Sequence, residues 1–506
     1  MKRTLKLTLV CVSLLWFFLS FEAPLYAAID TPTVVSGIAK LTGKITIPVG
    51  VTKNSIVAKI TVSHQISGEF VKYTAIVDPL GNFSIDADVE TAVSFVHFST
   101  SLNPETSLLI KLKSSMVTHL DIIYNSNFEI DYIEATPAIN VNDMTRSWDL
   151  IGDMIQYPPA KVVALYDKSF DYFYDNAKSR LAKRLDVVKT DSLISIELKQ
   201  VLTDDFSLLF YKDAVFDYDE AMIANYSLIN DGKNDSLAIK KIDKSYYRFL
   251  KGLKLNDPRY LYAFGSFWEF QRKLLTNETL SIPQIEDVDI PSWLINTKSI
   301  MSDLLGFKDG LYYDILAANA YGRQLTEELR PLSEKQKENI VNYWGTGEIA
   351  KVLFRKNKQV AELDKFKSPV IINDVSKIAA DKVIENILSK HKGKVILIDL
   401  WATWCGPCLE AMQRFRSTKT EFHAKDVVFV YLTNGSSPPK LWEEKIKGIG
   451  NEHYYLNDTQ WMYIMNQYNF DAIPSYLLYN KQGILSNKFT AFPENKEVKI
   501  MIGTLL

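Results

Sequence analysis

The sequence predicts a multidomain chain: an N-terminal β-sandwich, an α-helical middle region and a C-terminal α/β domain, all behind an export signal. Three observations carry this reading. The 506 residues exceed what a single hydrophobic core fills. The apolar period changes from two to three-and-four near residue 136, then to strand–helix alternation after residue 359. The first residues join a basic start to a short apolar run.

Composition narrows the function classes. Apolar residues at 47% and charged residues at 23% exclude a disordered, collagen-like or polytopic membrane chain. With 58 Lys+Arg against 60 Asp+Glu, the net charge of −2 supplies no field to draw nucleic acid or an anionic membrane surface. Three cysteines exclude a disulfide-stapled scaffold, so their positions matter more than their number.

Residues 1–28 read as a signal peptide. Lys2, Arg3 and Lys6 precede the apolar run at 7–21, and the small pair Ala27-Ala28 offers the cleavage site, after either residue. The expected location is therefore exported and periplasmic. A retained membrane anchor is the lesser reading, because the run is shorter than the ~20 residues a spanning helix needs. Cys11 leaves with this segment, which makes Cys405 and Cys408 the cysteines of the mature chain.

Residues 29–135 read as the sandwich, with antiparallel strands. Ile56, Ala58, Ile60 and Val62 alternate with Val57, Lys59 and Thr61, and Asp78-Pro-Leu-Gly-Asn82 is a turn signal. Residues 136–358 read as helical, with apolar spacing of three and four over 161–186, 193–211, 245–253, 260–275, 293–305, 311–329 and 334–355. The aromatics of this region, among them Tyr246, Phe249, Tyr260 and Trp268, are expected as core. Its turn signals include 231–235. A Lys-rich stretch (Lys356, Lys358, Lys365, Lys367) up to Pro369 marks a linker. Residues 359–506 then alternate: a helix at 379–392, a buried strand at 395–400, a helix after Cys408, a strand at 427–433, a helix near 459–468 and strands at 475–479 and 485–490.

The chemistry lies in Asp399-Leu-Trp-Ala-Thr-Trp-Cys405-Gly406-Pro407-Cys408. Cys405 falls just past a buried strand, at a helix N-terminus whose unpaired N–H groups and dipole favour a thiolate. Cys408, one turn on, shares its helical face and lies within disulfide reach. A thiolate at Cys405 attacks a disulfide to give a mixed disulfide, which Cys408 resolves. A structural zinc would need two further ligands. The histidines (His64, His97, His119, His391, His423, His453) are scattered, so no metal is expected. A purely structural disulfide is disfavoured, since so short a loop restricts the unfolded chain little.

Residues 394–408, KVILIDLWATWCGPC, resemble the active-site strand and helix start of the thioredoxin family, and W-A-T-W-C is especially similar to the exported TlpA-like and DsbE-like reductases. The resemblance covers the last ~140 residues and implies a thioredoxin fold there. It also implies a thiol–disulfide oxidoreductase with no bound cofactor beyond a redox-active Cys405–Cys408 disulfide. Asp399 matches the buried acid that handles the proton of the resolving cysteine. Its place on an apolar strand raises its pKa and suits a general base for Cys408. Ile473-Pro474 matches the family's cis-proline, with the Ile473 backbone pairing with an extended substrate. Trp404 is expected over the disulfide, Gly406 and Pro407 beside the substrate, and Trp401 in packing. Where exported relatives carry a glutamate and a proline after the second cysteine, this chain has Ala411 and Gln413, with Glu410 one position early. A straight active-site helix is therefore expected. The family's strand lysine has no counterpart in 427–433.

The Gly-Pro dipeptide implies a reductant, with protein disulfides as substrates and a membrane electron donor of the thioredoxin-reducing type as partner. Two alternatives stand beside it: a disulfide oxidase or isomerase, and a binding or scaffold protein with an accessory redox domain.

Overall fold

The period-two segment forms two four-stranded sheets. In the computed structural model, which describes residues 32–48, 56–158, 162–230, 238–365, 368–422 and 425–506, they comprise β1 (Val34–Thr46), β2 (Val57–His64), β3 (Glu69–Ile76), β4 (Asn82–Thr91), β5 (Val93–Thr100), β6 (Asn103–Lys113), β7 (Val117–Tyr124) and β8 (Ile130–Thr136). The expected signal segment with Cys11, the turn at 231–235, Lys367 and His423 lie outside the described residues. The sheet orders are β4-β1-β7-β8 and β3-β2-β5-β6. Alternating side chains from both sheets, including Leu41, Ile60, Val89, Phe98 and Leu120, meet in one apolar core. The expectation of purely antiparallel strands is corrected at one place. β1 pairs antiparallel with β4 but parallel with β7. The chain reaches β7 from β6 in the other sheet, and that crossover lets it return in the direction of β1.

The helical region contains α1 (Val141–Ile155), α2 (Phe170–Thr190), α3 (Ile196–Ala214), α4 (Tyr218–Ile229), α5 (Ser266–Thr276), α6 (Ile290–Leu305), α7 (Leu311–Thr326), α8 (Glu334–Trp344) and α9 (Glu348–Asp364), with 3₁₀ segments at Lys244–Leu253 and Pro258–Tyr262. Two helices expected as continuous are broken. Gly345, at φ +59°, ends α8 before α9 begins, and Gly265, at φ +139°, separates the second 3₁₀ segment from α5. A side chain is strained in either conformation, so glycine sets both breaks. The helix expected at 161–186 starts later, where Ser169 caps α2. The boundary expected at 358/359 falls inside α9, which runs on to Asp364. The aromatics are core as expected: Tyr246, Tyr260 and Trp268 are buried, and Phe249 stacks on Tyr211 at 5.5 Å.

The turn between β2 and β3 is plugged into the helices. Asn319 on α7 donates through Nδ2 to the carbonyls of Gln65 and Ile66, both at 2.9 Å. Gln65 donates in turn to Ala263 O, and a Cβ on Gly322 would stand 2.4 Å from Ser67 O. These buried carbonyls have left the sheet ladder and depend on the helices for their partners.

The last segment forms a six-stranded sheet of order β14-β13-β10-β11-β12-β9, with β9 (Val370–Asn373), β10 (Val395–Leu400), β11 (Val427–Asn434), β12 (Asn451–Leu456), β13 (Ser475–Tyr479) and β14 (Leu485–Thr490). The helices are α10 (Val383–Lys390), α11 (Gly406–Thr420), α12 (Pro439–Ile449), α13 (Asp458–Gln467) and α14 (Asn495–Gly503). All six residues of β10 are buried, and apolar clusters cover the sheet on both faces. α12 docks against the helical region. Glu444 pairs with Arg323 and accepts from Gln284 Nε2 at 2.8 Å, while a Cβ on Gly448 would stand 2.3 Å from Glu328 O. Residues 32–506 thus cohere as one compact unit. Among the described residues, no helix is long and apolar enough to cross a membrane.

The plugged turn is directly testable. Asn319→Leu keeps the branching and heavy-atom number of the side chain but strands two buried carbonyls, so it lowers unfolding stability by about 2–4 kcal/mol in denaturant titration. A loss below about 0.5 kcal/mol contradicts the account of the plug.

Candidate active site

β10 carries Asp399 in its fifth position and ends at Leu400. The chain then turns under firm constraint. Trp401 N–H donates to Leu432 O at 3.0 Å, Thr403 N–H donates to Ser437 Oγ at 3.0 Å, and Cys405 N–H donates to Ala402 O at 3.0 Å. Cys405 is the N-cap of α11, and its Sγ accepts the Cys408 N–H at 3.2 Å. Gly406 and Pro407 fill the first turn, where proline's missing N–H has no helical partner to lose. Cys405 and Cys408 are joined as a disulfide with Cα atoms 5.3 Å apart. Cys405 is 3% exposed and Cys408 fully buried.

The expected site residues fall into two groups. Cys405, Cys408 and Ile473 share one apolar cluster, and the Ile473–Pro474 bond is cis. Gly406 and Pro407 are exposed, and Pro474 is buried. Trp404, expected as a cover over the disulfide, is 65% exposed, with its indole N–H donating to Ser436 Oγ at 3.2 Å. Trp401 is buried in the core, as its packing assignment requires.

Asp399 lies on the other side of α11 from solvent. Its register partners are Tyr431 on β11 and Tyr476 on β13, so a tyrosine flanks it on each neighbouring strand. A cavity of about 20 Å³ joins Asp399, Tyr431, Tyr476, Ala411 and Lys419. Neither Asp399 Oδ1 nor the Tyr476 hydroxyl has a hydrogen-bond partner among the described residues. Burial pushes the Asp399 carboxyl well above its ordinary pKa, and the nearby Lys419 only partly opposes this.

Lys419 is the residue that sequence reasoning missed. No lysine stands in β11, but the last turn of α11 brings one to the Tyr431 hydroxyl on that strand. Lys419 Nζ donates to Ile449 O at 3.0 Å and to Tyr431 Oη at 3.3 Å. Burial, with the Arg416 guanidinium nearby, holds its pKa down to about 7. His453 stacks on Tyr431 at 5.0 Å and is itself kept neutral by burial, its pKa falling to about 3. The period of α11 held a signal for Lys419: it is eight residues beyond Ala411, and both lie on the buried face. Ala411, where the sequence resemblance leads one to expect a glutamate, puts a methyl group into the lining of the cavity it shares with Asp399. Glu410 faces away and pairs with Lys72 of β3.

The C-terminal residues are similar to known proteins. The Redoxin family model matches residues 373–502. A thioredoxin of Coprinus comatus is 32% identical over 78 residues, which are 15% of this chain and 74% of that protein. The thiol–disulfide oxidoreductase ResA of Bacillus subtilis is 26% identical over 118 residues, and the chain spans 58% of its length and uses 23% of its own. The crystal structure of StoA from Bacillus subtilis is similar at 21% identity and a TM-score of 0.19, over 22% of this chain and 82% of that one.

The buried acid has a pH signature of definite sign. Between the unfolded carboxylate pKa near ~3.9 and its own higher value, folded Asp399 keeps a proton that the unfolded chain has released. Stability therefore falls as pH rises through this window, by at most about 1.4 kcal/mol per unit. Lys419 acts with the opposite sign, but only above its pKa of about 7. Urea unfolding from about pH 4.5 to 6.5 should therefore show Asp399→Asn gaining steadily on the wild type as pH rises. Parallel curves contradict the burial of an uncompensated acid.

Proposed function

The chain belongs to the thioredoxin family through its C-terminal residues, and from that premise we propose that it is an exported, periplasmic reductase of protein disulfides, working through a mixed disulfide at Cys405. The enzyme class, a thiol–disulfide oxidoreductase, is common to its relatives. One observation carries the finer reading: Cys405 caps α11, so its sulfur receives an N–H from the helix start, and the buried Asp399 lies beneath the same helix.

The reaction balances on the two cysteines. The Cys405 thiolate attacks a client disulfide, forming one S–S bond and releasing the first client thiolate, which takes a proton. Cys408 loses its proton to Asp399 and attacks Cys405 Sγ, releasing the second client thiolate. Two electrons pass from the dithiol to the client, leaving the Cys405–Cys408 disulfide. That disulfide serves in place of a bound cofactor. It is returned to the dithiol by an electron donor of the thioredoxin-reducing type at the membrane.

Lys419 lies close to Asp399, and its charge favours the carboxylate form that Asp399 needs before it can accept the Cys408 proton. Ile473 packs against the apolar cluster that holds both cysteines; on this reading its backbone, ahead of the cis Pro474, pairs with an extended client, and the exposed Trp404, Gly406 and Pro407 form the rim of the site. We read the two facing sheets (29–135) as a β-sandwich and, with the helical region (136–358, continuing to the end of α9), as the client-binding part of a reductase. A signal peptide cleaved after Ala27 or Ala28 accounts for export.

The test is capture of the intermediate. Cys408→Ser in the full chain accumulates mixed disulfides at Cys405 that dithiothreitol releases. Cys405→Ser captures none and loses insulin-reducing activity by at least about 10³-fold. An insulin-reducing Cys405→Ser chain, or a Cys408→Ser chain that captures nothing from an oxidised extract, contradicts the reading.

A further inference from the structure

Strand β3 ends its sheet with one edge open: β2 is its partner, and no strand of the described residues pairs on its far side. The ladder fixes which groups face that edge. Val77 N–H donates to Ile56 O at 2.9 Å, while Ser101 N–H, on the β5 side, donates to Val57 O at 2.9 Å. Alternation along an antiparallel pair then directs residues 69, 71, 73 and 75 to β2. The N–H and C=O groups of Phe70, Lys72, Thr74 and Ile76 face the open edge.

This edge runs beside the redox site. Lys72 Nζ is 2.5 Å from Glu410 Oε2, and Glu410 lies five residues past Cys405 on α11, ~7.5 Å along the helix axis. The N-terminal end of the strand is pinned, with Phe70 packed edge-to-face on Trp268 at 5.2 Å. From Lys72 onward the strand is open. Thr74 is exposed and Ile76 is 73% exposed. Exposed edges are normally guarded by charge, but here the one lysine is paired with Glu410, and an uncovered isoleucine stands in the open part.

We propose that the open edge of β3, residues 72–76, is a docking strand for the extended polypeptide of a disulfide-containing client. The client adds a strand to β3, places an apolar side chain beside Ile76, and leads its cysteine along α11 to Cys405 within a few residues. Strand addition selects extended backbone over folded surface, so the preferred client is an unfolded or misoxidised chain. This rests on the oxidoreductase reading above, which can hold without it.

The probes are a disulfide-linked dimer of a Val/Thr-rich peptide and, as a small disulfide with no backbone to pair, cystamine. Thr74→Pro removes one edge-facing N–H without touching the bonds to β2, and Ile76→Asp puts a charge where the apolar contact forms. Both variants raise KM for the peptide disulfide about five-fold or more, leave its kcat unchanged, and leave kcat/KM for cystamine at the wild-type value. Wild-type KM for the peptide in both variants overturns the docking strand. If Thr74→Pro does not fold, Ile76→Asp decides alone. A wild-type chain inactive on cystamine overturns the oxidoreductase reading instead.

Discussion

The redox domain depends on where β10 stops. That strand is buried along its whole length, so its last residues are fixed from both faces, and the chain leaving it has one short route to the start of α11. Hydrogen bonds from Trp401, Thr403 and Cys405 take up the backbone along this route. Cys405 thereby arrives at the helix N-terminus with its sulfur receiving a backbone N–H. The position of the sulfur at the helix start, on which the proposed thiolate chemistry rests, is thus a consequence of the strand's burial, transmitted through a few hydrogen-bonded residues.

The same burial creates the electrostatic tension beneath the helix. A carboxylate on a fully buried strand costs several kcal/mol unless it is paired. The chain does not pair it closely. It flanks Asp399 with two tyrosines and brings Lys419 to Tyr431, close enough to influence the acid but held on the Tyr431 hydroxyl and the Ile449 carbonyl. Acid and base are both driven toward their neutral forms by burial, Asp399 upward and Lys419 down to about 7. A proton taken up by Asp399 therefore enters a site already disposed to hold it.

How much of this could be read from the sequence follows the range of the interactions. Local signals were enough for β10, β13 and β14, whose apolar or alternating runs match the structure residue for residue, and for the dithiol at the strand–helix junction. The cis bond at Pro474 was also legible. α8 and α9 were read as one helix because their apolar period continues across the break that Gly345 imposes. β12 escaped notice because Asn451-Glu-His-Tyr-Tyr has no apolar run. It is a strand because β11 and β9 flank it, and its His453 is buried by Tyr431 and Trp401. For Lys419 the helical period was the one signal, and it was outweighed for a related reason: the acid it lies near is 20 residues away, and a lysine near a helix end ordinarily faces solvent. The sequence motif of the site was local, and its proton chemistry was not.

The three parts of the chain are joined by buried polar contacts: the β2–β3 turn in the helices, Glu444 against Arg323, and Gly448 against the Glu328 carbonyl. The redox site is therefore held on a rigid support rather than on a tether, with β3 beside it. The central claim, that this site donates electrons, is tested most directly by the reduction potential of the Cys405–Cys408 couple in the full chain, equilibrated against dithiothreitol buffers at pH 7. A reductant of this type falls below about −200 mV, toward the ~−270 mV of thioredoxin itself, and a value above about −150 mV contradicts the account.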